Sequence, residues 1–126
     1  MRTIEEKIIA TLRSGNGFKK LSCRDSVKVE ENRIEYYLWD NLLFWINFDI
    51  YFFSGRGYCS LTTKNRLNTI LYNFLRVYII QKNYKWILNW NNKEYLIDAT
   101  NIFYFKGDKL YKKASHDVEV LPIENN

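Results

Sequence analysis

Proline is almost missing from this chain, one in 126 residues, and glycine is sparse at five. A sequence so poor in the residues that punctuate linkers, and 47% hydrophobic, has the composition of one folded domain; neither a disordered tract nor a linker-joined pair of domains fits it. Cysteine is limited to Cys23 and Cys59, too few for a secreted disulfide scaffold, so both are read as buried thiols in a reducing compartment. No apolar run approaches the ~20 residues of a membrane span. Glu5, Glu6 and Lys7 stand where a signal peptide would need its apolar centre. The expectation is a cytoplasmic protein that does not engage a membrane.

Catalytic and metal-binding groups are scarce too. His116 is the single histidine and lies near the C-terminus, so Ser-His-Asp and Cys-His arrangements would depend on an ordered tail. One histidine and two distant cysteines cannot close a tetrahedral zinc site. Asp40, Asp49, Glu94 and Asp98 are too scattered along the chain to propose a two-metal centre. The sequence therefore predicts no cofactor and no enzyme, with a metal-free ribonuclease working through Lys, Arg and Tyr as the open exception.

What the chain has is aromatic side chains and unevenly spread positive charge. Residues 1–60 are nearly balanced, residues 61–113 carry ten Lys or Arg against three Asp or Glu, and the last thirteen residues carry three acids and no Lys or Arg. A basic half beside ten tyrosines points to an anionic partner, nucleic acid or an acidic protein surface. Solubilising a very aromatic chain is the plainer use of the same lysines. Asn, Lys, Ile, Tyr and Phe make up nearly half of the sequence, the signature of AT-rich coding, as in a low-GC bacterium or its phage.

The patterning is α+β: a small, curled antiparallel sheet with two helices on one face, as a single domain over 1–113 and an acidic, flexible tail over 114–126. Thr3 to Glu6 reads as a capping box opening a helix over about 3–14, with Ile4, Ile8, Ile9 and Leu12 as its apolar stripe and Gly15 as a left-handed stop. A second helix over 63–75, capped by Thr62 or Thr63, turns Leu67, Ile70, Leu71, Phe74 and Leu75 inward. Its outward face then holds Lys64, Asn65, Arg66, Asn68, Thr69 and Asn73. Strands are expected over 20–29, 33–39, 42–47, 50–53, 77–81, 84–89, 94–97, 102–105 and 109–111, with tight turns at Asp40-Asn41, Asn91-Asn92 and Gly107-Asp108.

Two constellations are candidate binding sites. In the first, the glycine loop before the second helix, with Arg56, leads into Thr62, Thr63, Lys64 and Arg66, which read as an anion clamp at a helix start. The Gly, Lys and Ser/Thr spacing of a P-loop is missing. In the second, Lys82, Lys85, Lys106 and Lys109 interleave with aromatics that include Trp86, a pattern suited to stacking bases and holding phosphates or to anchoring a protein. Sheet core is the competing role of most of these rings.

The run from Gly57-Tyr58 through Ser60 to Thr62-Thr63-Lys64-Asn65-Arg66-Leu67-Asn68, preceded by Tyr36-Tyr37-Leu38-Trp39 and followed by Gln81-Lys82-Asn83-Tyr84, resembles a motif of small phage-encoded proteins of unknown function, over roughly 33–90. The resemblance implies a phage or prophage origin and brings no activity with it. After Asn89 the chain departs from that pattern. The resulting expectation is a phage accessory protein that works by binding in the bacterial host cell. Its partner would be a host protein or nucleoprotein, with inhibition of a defence nucleoprotein, of anti-CRISPR type, as the leading form. Direct binding of DNA or RNA through the basic half is the alternative, and nothing in the sequence decides the oligomeric state.

Overall fold

The computed structural model describes residues 3–124, which form α1 (Ile4–Ser14), β1 (Gly17–Lys20), β2 (Asp25–Val29), β3 (Arg33–Leu38), β4 (Asn41–Asn47), β5 (Ile50–Phe53), α2 (Leu61–Leu75), β6 (Tyr78–Lys82), β7 (Lys85–Trp90), β8 (Lys93–Ile97), β9 (Phe103–Lys106), β10 (Lys109–Lys112) and β11 (Val118–Val120). The class is α+β. Where one small sheet was expected there are two antiparallel ones: eight strands in the order β1-β2-β3-β4-β5-β9-β10-β11, and three in the order β6-β7-β8. The chain builds five neighbouring strands, leaves through α2 and the small sheet, and returns to pair Tyr51 with Phe105 and Phe53 with Phe103.

α1 behaves as its pattern dictates. Thr3 accepts the Glu6 amide at 3.2 Å, Ile8 and Leu12 are buried, and the helix packs on α2, β2 and β3. Gly15 is not left-handed. It is extended, and its N–H closes on Thr11 O at 2.7 Å. A Cβ there would lie 2.5 Å from that same oxygen, so close approach rather than handedness asks for glycine.

α2 starts earlier than its apolar stripe suggests, because Ser60 is the cap: its Oγ accepts the Thr63 amide at 3.1 Å. Leu67, Ile70 and Leu71 are fully buried, each worth roughly 1.5–3 kcal/mol of transfer free energy. The small sheet joins the same core with Ile79, Trp86, Leu88 and Ile97, and the Trp90 ring meets the Phe105 ring edge-on at 4.9 Å.

The structure differs from the expectation at four further points. The strand read over 20–29 is two, β1 and β2, folded back at a turn where the Leu21 and Ser22 amides both reach Asp25 O. The β3–β4 turn is Trp39-Asp40, with φ of 50° and 64°, and not Asp40-Asn41. Cys23 and Cys59 are exposed, since both sit in connections, one in the β1–β2 turn and one before α2. The segment read as an acidic tail carries β11, which pairs with β10, and the Ile123 amide reaches Glu94 O at 2.7 Å.

The large sheet carries a row of rings across four of its strands. Register sets Trp45, Phe52, Tyr104 and Tyr111 side by side across β4, β5, β9 and β10. Trp45 and Phe52 stack at 5.2 Å and 2°, Phe52 and Tyr104 sit 5.3 Å apart, and Tyr104 and Tyr111 stack at 5.1 Å and 15°. In such a ladder neighbouring rings cover part of each other's faces.

Candidate functional site

One end of the large sheet gathers two turns and a helix start. The β1–β2 turn, the Trp39-Asp40 turn and the first residues of α2 are joined from behind by Asp25, the first residue of β2. Asp25 is buried, and it accepts hydrogen bonds from Ser22 Oγ at 2.7 Å, from the Tyr36 hydroxyl, and from Arg66 Nε at 2.9 Å. Arg66 adds a bond to Glu5 Oε1 at 2.9 Å, which draws α1 into the same cluster. The turns are also tied to each other, since the Trp39 amide donates to Arg24 O at 2.8 Å.

The electrostatics follow from this geometry. Burial by itself would raise the Asp25 carboxyl, but the hydrogen bonds from Arg66, Tyr36 and Ser22 and the Arg66 charge hold it below the usual carboxylate range. The Tyr36 hydroxyl is pushed up by burial and by the Asp25 carboxylate it faces. Burial works against the Arg66 charge and the Asp25 carboxylate more than restores it. Asp25 therefore stays ionised, and its charge is spent inside the protein.

In front of this cluster two cavities of about 440 and 470 Å³ share Arg24 and Trp39 as a common wall. The first is lined by Leu38, Asn41, Leu43, Tyr58, Ser60, Thr62 and Thr63 besides the shared pair. Phe18, Lys20, Ser22, Cys23, Asp25, Ser26 and Asp40 complete the second. Three rings on this groove stand in the open: Phe18 is 65% exposed, Trp39 60% and Tyr58 55%. No acid lies in the first turn of α2, so the positive end of the helix is not neutralised within its own first turn.

The residues singled out from the sequence are distributed over several places. Thr62 and Thr63 line the groove, although Thr63 is buried with its Oγ1 2.9 Å from Ser60 Oγ. Lys64 is half-buried on the first turn of α2. Arg66 is not on the outward face: it is 5% exposed and committed to Asp25 and Glu5. Asn68 likewise turns inward, receiving the Ile79 amide at 2.5 Å and donating to Ile79 O at 2.8 Å along the edge of β6. Arg56 lies over the Trp45 ring and donates to Leu42 O, at the end of the aromatic ladder.

Trp86 is core, 2% exposed, with Lys82 and Lys85 exposed at the β6–β7 hairpin end. Lys106 and Lys109 flank the turn of the β9–β10 hairpin, and Lys109 lies 3.8 Å from Glu119. Thus the motif's Arg66 and Asn68 hold the fold, while the groove's open residues were not foreseen as a set. Phe18, Lys20, Arg24, Trp39 and Tyr58 come from three segments that meet only when β2 pairs with β3 and Arg66 reaches Asp25. The signals for them were Trp39 and Tyr58, both within the stretch that resembles the phage-protein motif. His116 is not among the residues lining either cavity. Among the described residues, no three His, Cys, Asp or Glu side chains gather as a metal-holding group, and no helix is long and apolar enough to cross a membrane.

No curated protein and no solved structure matches the chain. Over residues 1–111, which take in both helices, the whole groove and most of β10, it matches the family described as Kyanoviridae Gp96 protein, and the chain belongs to this family of phage proteins.

Proposed function

We propose that this phage protein works by binding rather than by catalysis, in the host cell, with the groove at the start of α2 as its contact surface. The observation that carries the reading is the trio Phe18, Trp39 and Tyr58, more than half exposed on a groove that also presents Lys20 and Arg24. Leaving large rings in water has no stabilising role in the monomer, whereas aromatic and arginine side chains dominate the energy of protein contacts. Tying the underlying turns to a buried ion cluster fixes those rings before the partner arrives, which lowers the entropic cost of association.

The biological form of this binding that suits a small phage protein is inhibition of a host defence nucleoprotein, of anti-CRISPR type. The test is target cleavage by a purified CRISPR effector complex from a host, with and without the protein. Inhibition by the wild type that Trp39→Ala and Tyr58→Ala abolish supports the reading. Cleavage unaffected by a large excess of protein removes the anti-CRISPR form, and inhibition untouched by both substitutions removes the groove.

A further inference from the structure

We infer that the groove takes single-stranded nucleic acid directly, with unpaired bases on Trp39 and Tyr58 and phosphates at Arg24 and Lys20. This rests on the groove being the contact surface, and adds the chemistry of what fills it.

Three features select that occupant. First, three open rings converge on one groove: Trp39 and Tyr58 are 60% and 55% exposed beside Phe18, whereas the exposed Phe48, Tyr72, Tyr78 and Tyr84 line neither cavity and the rings from Trp45 to Tyr111 stack on one another. Stacking on an open ring is sequence-tolerant and needs a base whose own face is free, which a single strand offers and a duplex does not. Second, the charge is complementary. No carboxylate lines the cavity of Tyr58, and of the two in the neighbouring cavity Asp25 is already neutralised by Arg66, which leaves Asp40 against Lys20 and Arg24. Third, the cavities, at about 440 and 470 Å³, fall in the range of about 300–1,000 Å³ that holds nucleotide-sized ligands, and Arg24 and Trp39 on their shared wall let one strand run through both. An acidic peptide would satisfy the cations and leave the rings bare.

The experiment is fluorescence anisotropy of the full-length protein with a labelled twelve-residue oligodeoxythymidine, the matching oligouridine, the corresponding duplex, and polyglutamate as competitor, at 50 and 200 mM salt. The expected result is binding of at least one single strand, at least tenfold tighter than the duplex. Trp39→Ala should weaken it about tenfold or more. Arg24→Ala should lower the log–log salt slope by about 0.7, the value of one phosphate contact on a single strand. Unchanged melting temperatures of both variants would show that the fold is intact, and Lys106→Ala serves as a remote control. No single-strand binding at 50 mM salt, equal loss with Lys106→Ala, or displacement by polyglutamate alone would overturn the inference. If oligonucleotides fail while Trp39→Ala still abolishes inhibition of the effector complex, the groove stands as a protein contact and only the nucleic-acid chemistry is lost.

Discussion

Arg66 Nε and Asp25 Oδ1 lie 2.9 Å apart across 41 residues of chain, both side chains withdrawn from water. Through them α2 is locked to the first residue of β2, and through Glu5 to α1. Arg66→Ala leaves an ionised carboxylate in the interior with, among the described residues, Tyr36 and Ser22 as its side-chain donors. Breaking a buried pair from one side costs about 3–5 kcal/mol. Urea unfolding should show that loss, and the Asp25→Ala, Arg66→Ala double variant should be less destabilised than the sum of the single ones. Strict additivity would mean that the two groups do not depend on each other.

The same pair sets a pH dependence. Asp25 is held below its ordinary value in the folded state, so between the folded and unfolded pKa values the unfolded chain binds the proton. Its contribution is fully present above about pH 4, where the unfolded carboxyl is ionised, and is lost as pH falls through the folded pKa. Urea midpoints taken from pH 6 down to pH 2.5 should fall in the wild type. In Arg66→Ala the effect of burial on Asp25 is no longer opposed by Arg66, so this part of the acid sensitivity should shrink. An acid limb of equal steepness in both proteins would assign the effect to other carboxylates.

Local rules carried much of the secondary structure. The i, i+3, i+4 stripe of α2, the Thr3 cap of α1 and the Asn91-Asn92 turn, with φ of 51° and 61°, were all legible. Legibility ended where long-range contact overrides local preference. Arg66 falls between core positions of α2 and reads as a solvated cation until Asp25 is known to lie behind it. Asn68 reads as surface until its amide is seen covering Ile79. Trp45 and Phe52 share a sheet face by alternation alone, but their partners Tyr104 and Tyr111 arrive only through the β5–β9 pairing. The groove is the same case: its rings come from segments with no common periodicity.

Asn68 gives a prediction of its own. Its side chain satisfies both backbone groups of the buried residue Ile79 on the side of β6 that no strand of the small sheet covers. Asn68→Ala orphans a donor and an acceptor, at about 1–3 kcal/mol for each group left unsatisfied. Hydrogen exchange should report it locally: the Ile79 amide loses protection by a larger factor than the Leu88 amide across the β6–β7 ladder. Asn68→Asp should keep the acceptor for the Ile79 amide and lose the donor, and so fall between the two. Equal loss of protection at both amides in Asn68→Ala would mean that the side chain supports the domain as a whole rather than this edge.

Gly55 tests how tightly the loop before α2 is packed. A Cβ at this position would meet Ala99 O at 2.6 Å and the Trp86 ring at 2.9 Å. Neither neighbour gives way easily: Ala99 O accepts the Gly57 amide at 2.7 Å, and Trp86 is a buried ring of the core. Gly55→Ala should therefore destabilise by about 1–3 kcal/mol, the range for overpacking a filled site. Because the clash pushes on Trp86, its fluorescence emission should shift in the native state as well as at the unfolding midpoint. Gly57 is the internal comparison, with a φ of 86° and nothing within 4 Å of its Cβ direction. Gly57→Ala is strained by backbone conformation alone, so it should lose stability without moving the tryptophan emission. An emission shift from Gly57→Ala, or none from Gly55→Ala, would contradict this assignment of the two costs.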